Sequence, residues 1–364
     1  MKLLFVTATP LNIVEGSGTF AGIHVLARAL ERLGVAVDFA TPGSRIGNFT
    51  LRRLWFNESL RRRSHTGYDA VVGFDMDGYR MVESGIPHIA SIKGIIADEM
   101  RFERGPTRWS MALQAACEAR HVRRVQAVIT TSQYAAARLR ELYGIEKEVA
   151  IVPELIDLAA WRALFETNAA QEAGPRFTVL SVCRFYPRKR LHLLLEAAAM
   201  LRGKIPEIEF RIVGGGPEQA GLMRLWREKR IEDTVTWMGD LSQAALAAEY
   251  GRADVFCLPS VQEGFGIVFL EAMAAGKPII AVRAAAVPEV VPQGLLVEPE
   301  SAEAIAAAIT ELHCDPERRA SLSARGREIV ERYDAPRVAR VFLDEIERVT
   351  RSSGSQTGAL PDPR

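Results

Sequence analysis

Cysteine is scarce in this chain, and the four present (Cys117, Cys183, Cys257 and Cys314) stand far apart with no C-x-x-C spacing. That argues against a zinc-ligand set and a disulfide framework, and fits a reducing cytoplasm. Cys183 and Cys257 fall in apolar, strand-like runs and are expected to fill core space. No run of about 18 apolar residues occurs, which excludes an ordinary membrane-spanning helix. The apolar stretch at residues 3–8 is too brief for a secretory h-region and reads as a first buried strand. An excess of one charge sign is missing too: the formal net charge is +1, so no bulk field draws the chain to nucleic acid. There is no low-complexity segment, no internal repeat, and no His/Asp/Glu cluster that suggests a metal.

What is present is a soluble composition, 48% hydrophobic and 25% charged, over 364 residues, more than one core ordinarily supports. Short β-rich runs alternate with helical patterns, the signature of parallel sheets covered by helices. Strands are expected at residues 2–7, 35–40, 70–73, 88–92, 127–131 and 149–152, with a helix over 20–33. The pattern then restarts, with strands at 177–182, 209–213, 235–238, 254–258 and 279–282 and helices over 191–201, 221–229 and 244–250. The restart predicts two doubly wound α/β domains, at 1–165 and 176–334. Residues 166–175, polar and ended by Gly-Pro, read as the linker. A helix over 335–350 is expected to return to the first domain, and 351–364 has the composition of a disordered tail.

The most informative stretch runs from Val261-Gln262-Glu263-Gly264-Phe265-Gly266 through Ile267, Val268 and Glu271 to Gly276-Lys277-Pro278. It sets one glutamate in a Gly-rich turn and a second inside a helix that Gly276 and Pro278 terminate. Such a turn brings backbone N–H groups close to a ligand, and the helix that follows aims its positive end at the same spot. From the helix start near Gly266, Glu271 lies about 7–8 Å along the axis. One carboxylate then reaches one end of an extended ligand and the other its far end, the shape of a sugar nucleotide.

Four further features fit. Arg184 and Lys189 lie where a strand leaves for a helix, the edge at which open α/β sheets bind ligands, and suit phosphate oxygens. Gly214-Gly215-Gly216 ends another strand in a tight turn. Gly16-Ser17-Gly18 lies between the first strand and first helix, although the full G-x-G-x-x-G spacing of a dinucleotide fold is missing. The segment Val287-Pro288-Glu289, before Gly294, is uninformative alone.

Together these residues resemble glycosyltransferase family 4, the retaining enzymes of GT-B fold, over nearly the whole chain. The most specific part is the E-x7-E motif, Glu263 to Glu271; Arg184 and Lys189 keep the family's five-residue offset. The resemblance implies two Rossmann-like domains facing each other across a cleft. It implies that Glu271 holds the donor ribose and that Arg184 and Lys189 grip the diphosphate. Glu263 and the N–H groups of Gly264, Phe265 and Gly266 would hold the transferred sugar, with Ile267 and Val268 completing the phosphate cradle. Gly214, Gly215, Gly216 and Met238 would border the base, and Gly16 and Gly18 would form the glycine-rich loop of the acceptor domain. It further implies that no metal or other cofactor is needed.

The pattern breaks at four places. Arg190 stands where a glycine is usual, and Glu154 and Leu155 replace the Asn and Gly of a Pro-Asn-Gly turn. Lys93, in Ser91-Ile92-Lys93-Gly94, replaces a histidine beside the sugar. Lys93 either donates to the sugar or phosphate as a cation, or catalysis is impaired and the protein only binds. Asp98 and Glu99 are read either as acceptor-binding carboxylates or as an ordinary acidic helix start. Residues 51–63 interleave Trp55 and Phe56 with five arginines, read either as a peripheral anchor on anionic membrane or as a surface helix burying Leu51, Trp55 and Phe56. The expected activity is retaining transfer of a hexose from a UDP- or GDP-linked donor to a hydroxyl of a glycan, lipid or small molecule. A non-catalytic sugar-nucleotide binder and a nucleotide-sugar epimerase of GT-B fold are the rivals.

Overall fold

A computed structural model describes residues 1–9, 13–43, 47–62, 65–81, 85–168 and 176–356, without the side chains of 13–21, 168 and 353–356. The chain divides into two compact units: Met1–Glu154 with the segment from Ala335 onward, and Leu155–Asp334.

The first unit is built on a parallel sheet of β1 (Lys2–Val6), β2 (Ala36–Ala40), β3 (Ala70–Phe74), β4 (His88–Ile92), β5 (Ala127–Thr130) and β6 (Val149–Ile151). Their order is β2-β1-β3-β4-β5-β6. Every position of β3 and β4 is buried, which is why they appear in sequence as unbroken apolar runs instead of alternating ones. The helix Ala335–Gln356 closes this unit by packing on the helix Ile13–Arg32, with Phe342 edge-on to Phe5 at 6.2 Å.

The second unit repeats the plan with β7 (Phe177–Val182), β8 (Ile208–Val213), β9 (Val235–Gly239), β10 (Val255–Leu258), β11 (Ile279–Val282) and β12 (Leu295–Val297). The order is β12-β11-β10-β7-β8-β9, all parallel, so the winding reverses between β7 and β10. The crevice outside the carboxyl ends of those two strands is where a sheet of this topology binds its ligand. The four strands β7, β8, β10 and β11 are almost wholly buried, and Cys257 is core, as its apolar neighbours imply.

Strands 88–92, 177–182 and 279–282 begin and end where the sequence places them, and the other expected strands differ by one residue at one end. β12 has only three residues and was not anticipated as a strand.

Three expectations need correction. The division falls after Glu154, not at 165, because the helix Leu158–Asn168 belongs to the second unit: Trp161 meets the buried Tyr250 ring at 5.9 Å. The proposed linker at 166–175 therefore begins inside a helix, and 169–175 lie outside the described residues. The C-terminal helix runs to Gln356, so 351–356 are helical, and the remainder of the proposed tail lies outside the described residues. Finally, the first helix starts at Ile13, which puts Gly16 and Gly18 inside it and not in a loop before it. A glycine costs a helix about 1 kcal/mol relative to alanine, a penalty that the packing of a 20-residue helix can absorb.

Candidate active site

The loop leaving β7 carries Arg184, then a short 3₁₀ turn, Pro187–Lys189, that ends on Lys189. The loop leaving β10 is tied to this turn by the Val261 N–H and the Ser260 hydroxyl, which donate to the Arg188 carbonyl at 3.0 and 3.3 Å. The switch point thus brings together two segments more than 70 residues apart in sequence: Lys189 Nζ lies 2.5 Å from Glu263 Oε1, with both side chains nearly buried. Arg184 is one-third exposed and reaches Asp240 Oδ1 at 3.2 Å.

After Glu263 the backbone turns through Gly266, whose φ of +90° favours glycine, and enters the helix Ile267–Ala274. The N–H groups of Ile267 and Val268 have no earlier turn to bond and are available to an anion, while that of Phe269 donates to the Gly266 carbonyl at 3.0 Å. Phe265 anchors the turn, buried and edge-on to Tyr333 at 5.4 Å. One and a half turns on, Glu271 accepts a hydrogen bond of 2.8 Å from the hydroxyl of the buried Tyr250. Part of Glu271 still reaches solvent, but burial lifts its carboxyl up to about 7, against the pull of the Tyr250 bond. Tyr250 carries no motif, and only packing could reveal it.

Gly214 closes the third side. Its φ is +116°, and a Cβ there would stand 2.1 Å from the Cys183 carbonyl oxygen, so the glycine lets the loop after β8 lie against the Arg184 loop. The Gly214 N–H donates to the Gly239 carbonyl at 2.8 Å, drawing in the end of β9 that bears Met238. Gly215 and Gly216 continue this contact, with the Phe185 N–H donating to the Gly215 carbonyl at 3.0 Å. Asp240, the partner of Arg184, follows directly and was not anticipated.

The unusual Arg190 has a local explanation. Its φ is +51°, in the left-handed region that glycine occupies without strain. Bonds from Nη1 to the Pro187 carbonyl (3.0 Å) and from Nε to Glu300 (2.7 Å) hold it there. Arg190→Gly is expected to raise stability by about 1 kcal/mol, strain relief outweighing a solvent-exposed ion pair. Chemical denaturation checks this, and a lower midpoint would show that the arginine's contacts dominate.

In the first unit, Lys93 follows β4 and is fixed at both ends. Its N–H donates to Asp75 Oδ1 at 2.8 Å, and its ammonium lies 3.2 Å from Glu154 Oε2, with side chains only 5% and 9% exposed. Asp75, at the end of β3, has φ +53°; burial raises its carboxyl to about 6 despite the charge of Arg53. Beside it the buried Asp77 takes Nε and Nη2 of Arg53 at 2.9 and 3.1 Å, the Asn57 amide at 2.9 Å, and the Ala8 N–H at 2.7 Å. These two aspartates join the ends of β1, β3 and β4, and neither was anticipated.

Asp98 is fully buried and accepts from Tyr134, Arg101 and Arg138, so it works as a structural hub and the acceptor-binding reading falls for it, while Glu99 beside it stays partly exposed. The basic stretch departs from the reading as a surface helix that buries Leu51, Trp55 and Phe56. The helix Phe49–Leu60 buries Phe56 and Arg53, the latter paired with Asp77, but leaves Leu51 and Trp55 exposed.

Residues 16–160 match the family model described as Glycosyltransferase Family 4, and residues 165–329 match that of Glycosyl transferases group 1. A GDP-mannose-dependent alpha-(1-6)-phosphatidylinositol monomannoside mannosyltransferase of Mycobacterium tuberculosis is 33% identical over 237 residues, covering 61% of this chain and 62% of that enzyme. A D-inositol 3-phosphate glycosyltransferase of Pseudarthrobacter chlorophenolicus is 30% identical over 246 residues, covering 64% and 59%. The match thus spans about three fifths of the length of these curated relatives. Among solved structures, sucrose-phosphate synthase of Thermosynechococcus elongatus superposes with a TM-score of 0.82 at 22% identity, over 96% of this chain and 99% of that one. Anabaena HepE, in complex with UDP and glucose, gives 0.72 at 18% identity, over 96% and 100%. Two family models covering most of the chain, together with these likenesses, establish that it belongs to glycosyltransferase family 4 and has the GT-B fold.

Proposed function

We propose that the chain transfers a hexose from a GDP- or UDP-linked donor to a hydroxyl of a glycan, lipid or small-molecule acceptor, with retention at the anomeric carbon. The observation that carries this reading is the joining of Lys189 and Glu263 at the switch point, with Glu271 one and a half helical turns beyond. Arg184, Lys189 and the helix N-terminus neutralise the diphosphate, Glu263 and the turn through Gly264, Phe265 and Gly266 receive the sugar, and Glu271 takes the ribose. Glycosyl transfer passes through an oxocarbenium-like state in which the leaving phosphate gains negative charge. Fixed cations and N–H groups stabilise that charge more than the bound donor, which is what accelerates the step. With two cations in that position the reaction needs no metal. The relatives act with GDP-mannose in one case, and HepE binds UDP, so the test is a panel of both classes. A thermal shift with one nucleotide sugar, followed by acceptor-dependent release of its nucleotide, supports transfer. Binding without release supports the non-catalytic rival, and an altered free sugar nucleotide supports the epimerase.

A second reading concerns where the acceptor resides. Phe49, Leu51 and Trp55 on one helix, and Trp109 and Leu113 on the helix Gly105–Arg124, are exposed, Trp109 by 79%. The helices adjoin through Thr50 and Ser110, whose hydroxyls lie 2.6 Å apart, and the exposed Arg61, Arg62, Arg104 and Arg108 belong to the same two segments. Apolar side chains flanked by cations suit the interface of an anionic bilayer and a lipid-borne acceptor. Trp55→Ala/Trp109→Ala is expected to weaken co-sedimentation with anionic vesicles about tenfold or more. Wild-type protein that ignores such vesicles ends this reading.

A further inference from the structure

Two of the chain's departures from its family's pattern meet each other. Lys93 stands at the end of β4 where a histidine is usual, and Glu154 stands beyond β6 where an asparagine is usual. β5 lies between those strands, yet the Lys93 ammonium lies 3.2 Å from Glu154 Oε2. The lysine's long stem carries its ammonium to the carboxylate. The exchange also conserves charge, since a neutral pair is replaced by a cation and an anion.

Space has been made for this pair. A Cβ on Gly22 would stand 2.7 Å from Glu154 Oε2, so the helix Ile13–Arg32 passes directly over the carboxylate. Among the described residues the Lys93 ammonium makes one hydrogen bond, to Glu154, and two of its three N–H groups remain for other oxygens. A nearly buried ion pair is poor value for stability alone, because desolvation offsets its attraction. At the carboxyl edge of a doubly wound sheet, such a pair is better explained by work on a ligand.

We propose that Lys93 and Glu154 act as one coupled device. Lys93 donates to a substrate oxygen, Glu154 is the positioning residue that fixes its ammonium, and Gly22 leaves the room Glu154 needs. This rests on the transferase reading above.

The test compares Glu154→Gln, Lys93→His, Glu154→Asn and the double variant Lys93→His/Glu154→Asn, measuring kcat and KM for the donor together with melting temperature. Glu154→Gln keeps the side chain's size and is expected to lower kcat about 10- to 100-fold with little change in donor KM. Lys93→His and Glu154→Asn should each cost as much. The double variant, which rebuilds a neutral pair and buries no lone charge, should be more active than the product of the two single losses predicts. Gly22→Ala should follow Glu154→Gln in kcat. Should Glu154→Gln prove unstable, the double variant compared with Lys93→His still decides, since both lack the ion pair. The proposal is overturned if Glu154→Gln keeps wild-type kcat, or if the two single losses simply multiply. Wild-type protein that neither transfers nor hydrolyses any nucleotide sugar overturns the transferase reading and the proposal with it, whereas an active wild type with an indifferent Glu154→Gln sinks the proposal alone.

Discussion

Replacing Lys189 with methionine is expected to lower kcat by one to three orders of magnitude, about 1.4–4 kcal/mol of transition-state stabilisation. Lys189 is nearly buried and fixed against Glu263, so its charge acts through little water and needs no rearrangement as the leaving phosphate gains charge. Arg184 is one-third exposed and pairs with a half-exposed Asp240, so Arg184→Ala should cost less. Steady-state kinetics of the two variants check the ranking, and equal or reversed losses would contradict the burial argument. Lys189→Met also strands Glu263, at about 3–5 kcal/mol for a broken buried pair, and so lowers the melting temperature. Adding Glu263→Gln should restore the melting temperature without restoring kcat. Full turnover in Lys189→Met would reduce the lysine to a structural partner of Glu263.

Nucleotide affinity should rise with pH until about 7 and then level off, because Glu271 binds a ribose diol best as an anion. Burial raises its carboxyl to about 7, so below that pH the empty site holds a proton that binding must expel. Affinity then changes by up to tenfold per pH unit on the acid side. Calorimetry in buffers of different ionisation heat measures the proton released; no release near pH 6, or an unchanged slope in Glu271→Gln, would dissociate Glu271 from the ribose. The sign for stability is opposite. The folded pKa lies above that of an unfolded glutamate, so the native chain holds the extra proton between them, and the contribution of Glu271 is full in acid and lost as pH rises through about 7. Glu271→Gln should therefore raise the melting temperature of the empty protein above pH 7 while weakening nucleotide binding about 10- to 100-fold. The residue that serves the ligand opposes the fold.

How much of this was legible in sequence depends on whether the signal was local. β4, β7 and β11 were readable to the residue because buried parallel strands are continuous apolar runs. The E-x7-E helix was readable because glycine and proline mark its ends. The domain boundary was not, since only the packing of Trp161 on Tyr250 assigns the helix Leu158–Asn168 to the second unit. Gly16 and Gly18 misled because two glycines signal a loop locally, while the helix from Ile13 is held by its partners. Arg53 was indistinguishable from its arginine neighbours until Asp77 appeared beside it. Lys93 and Glu154 were each visible as oddities, but their meeting is a matter of three dimensions.

The helix Ala335–Gln356 completes the first unit, yet the ribosome reaches it only after all of residues 155–334. Until then Phe5, at the heart of the first sheet, lacks the cover that Phe342 provides. The sequence of the second unit is thus complete before that of the first, so the apolar surface that Phe342 covers stays open in the interval.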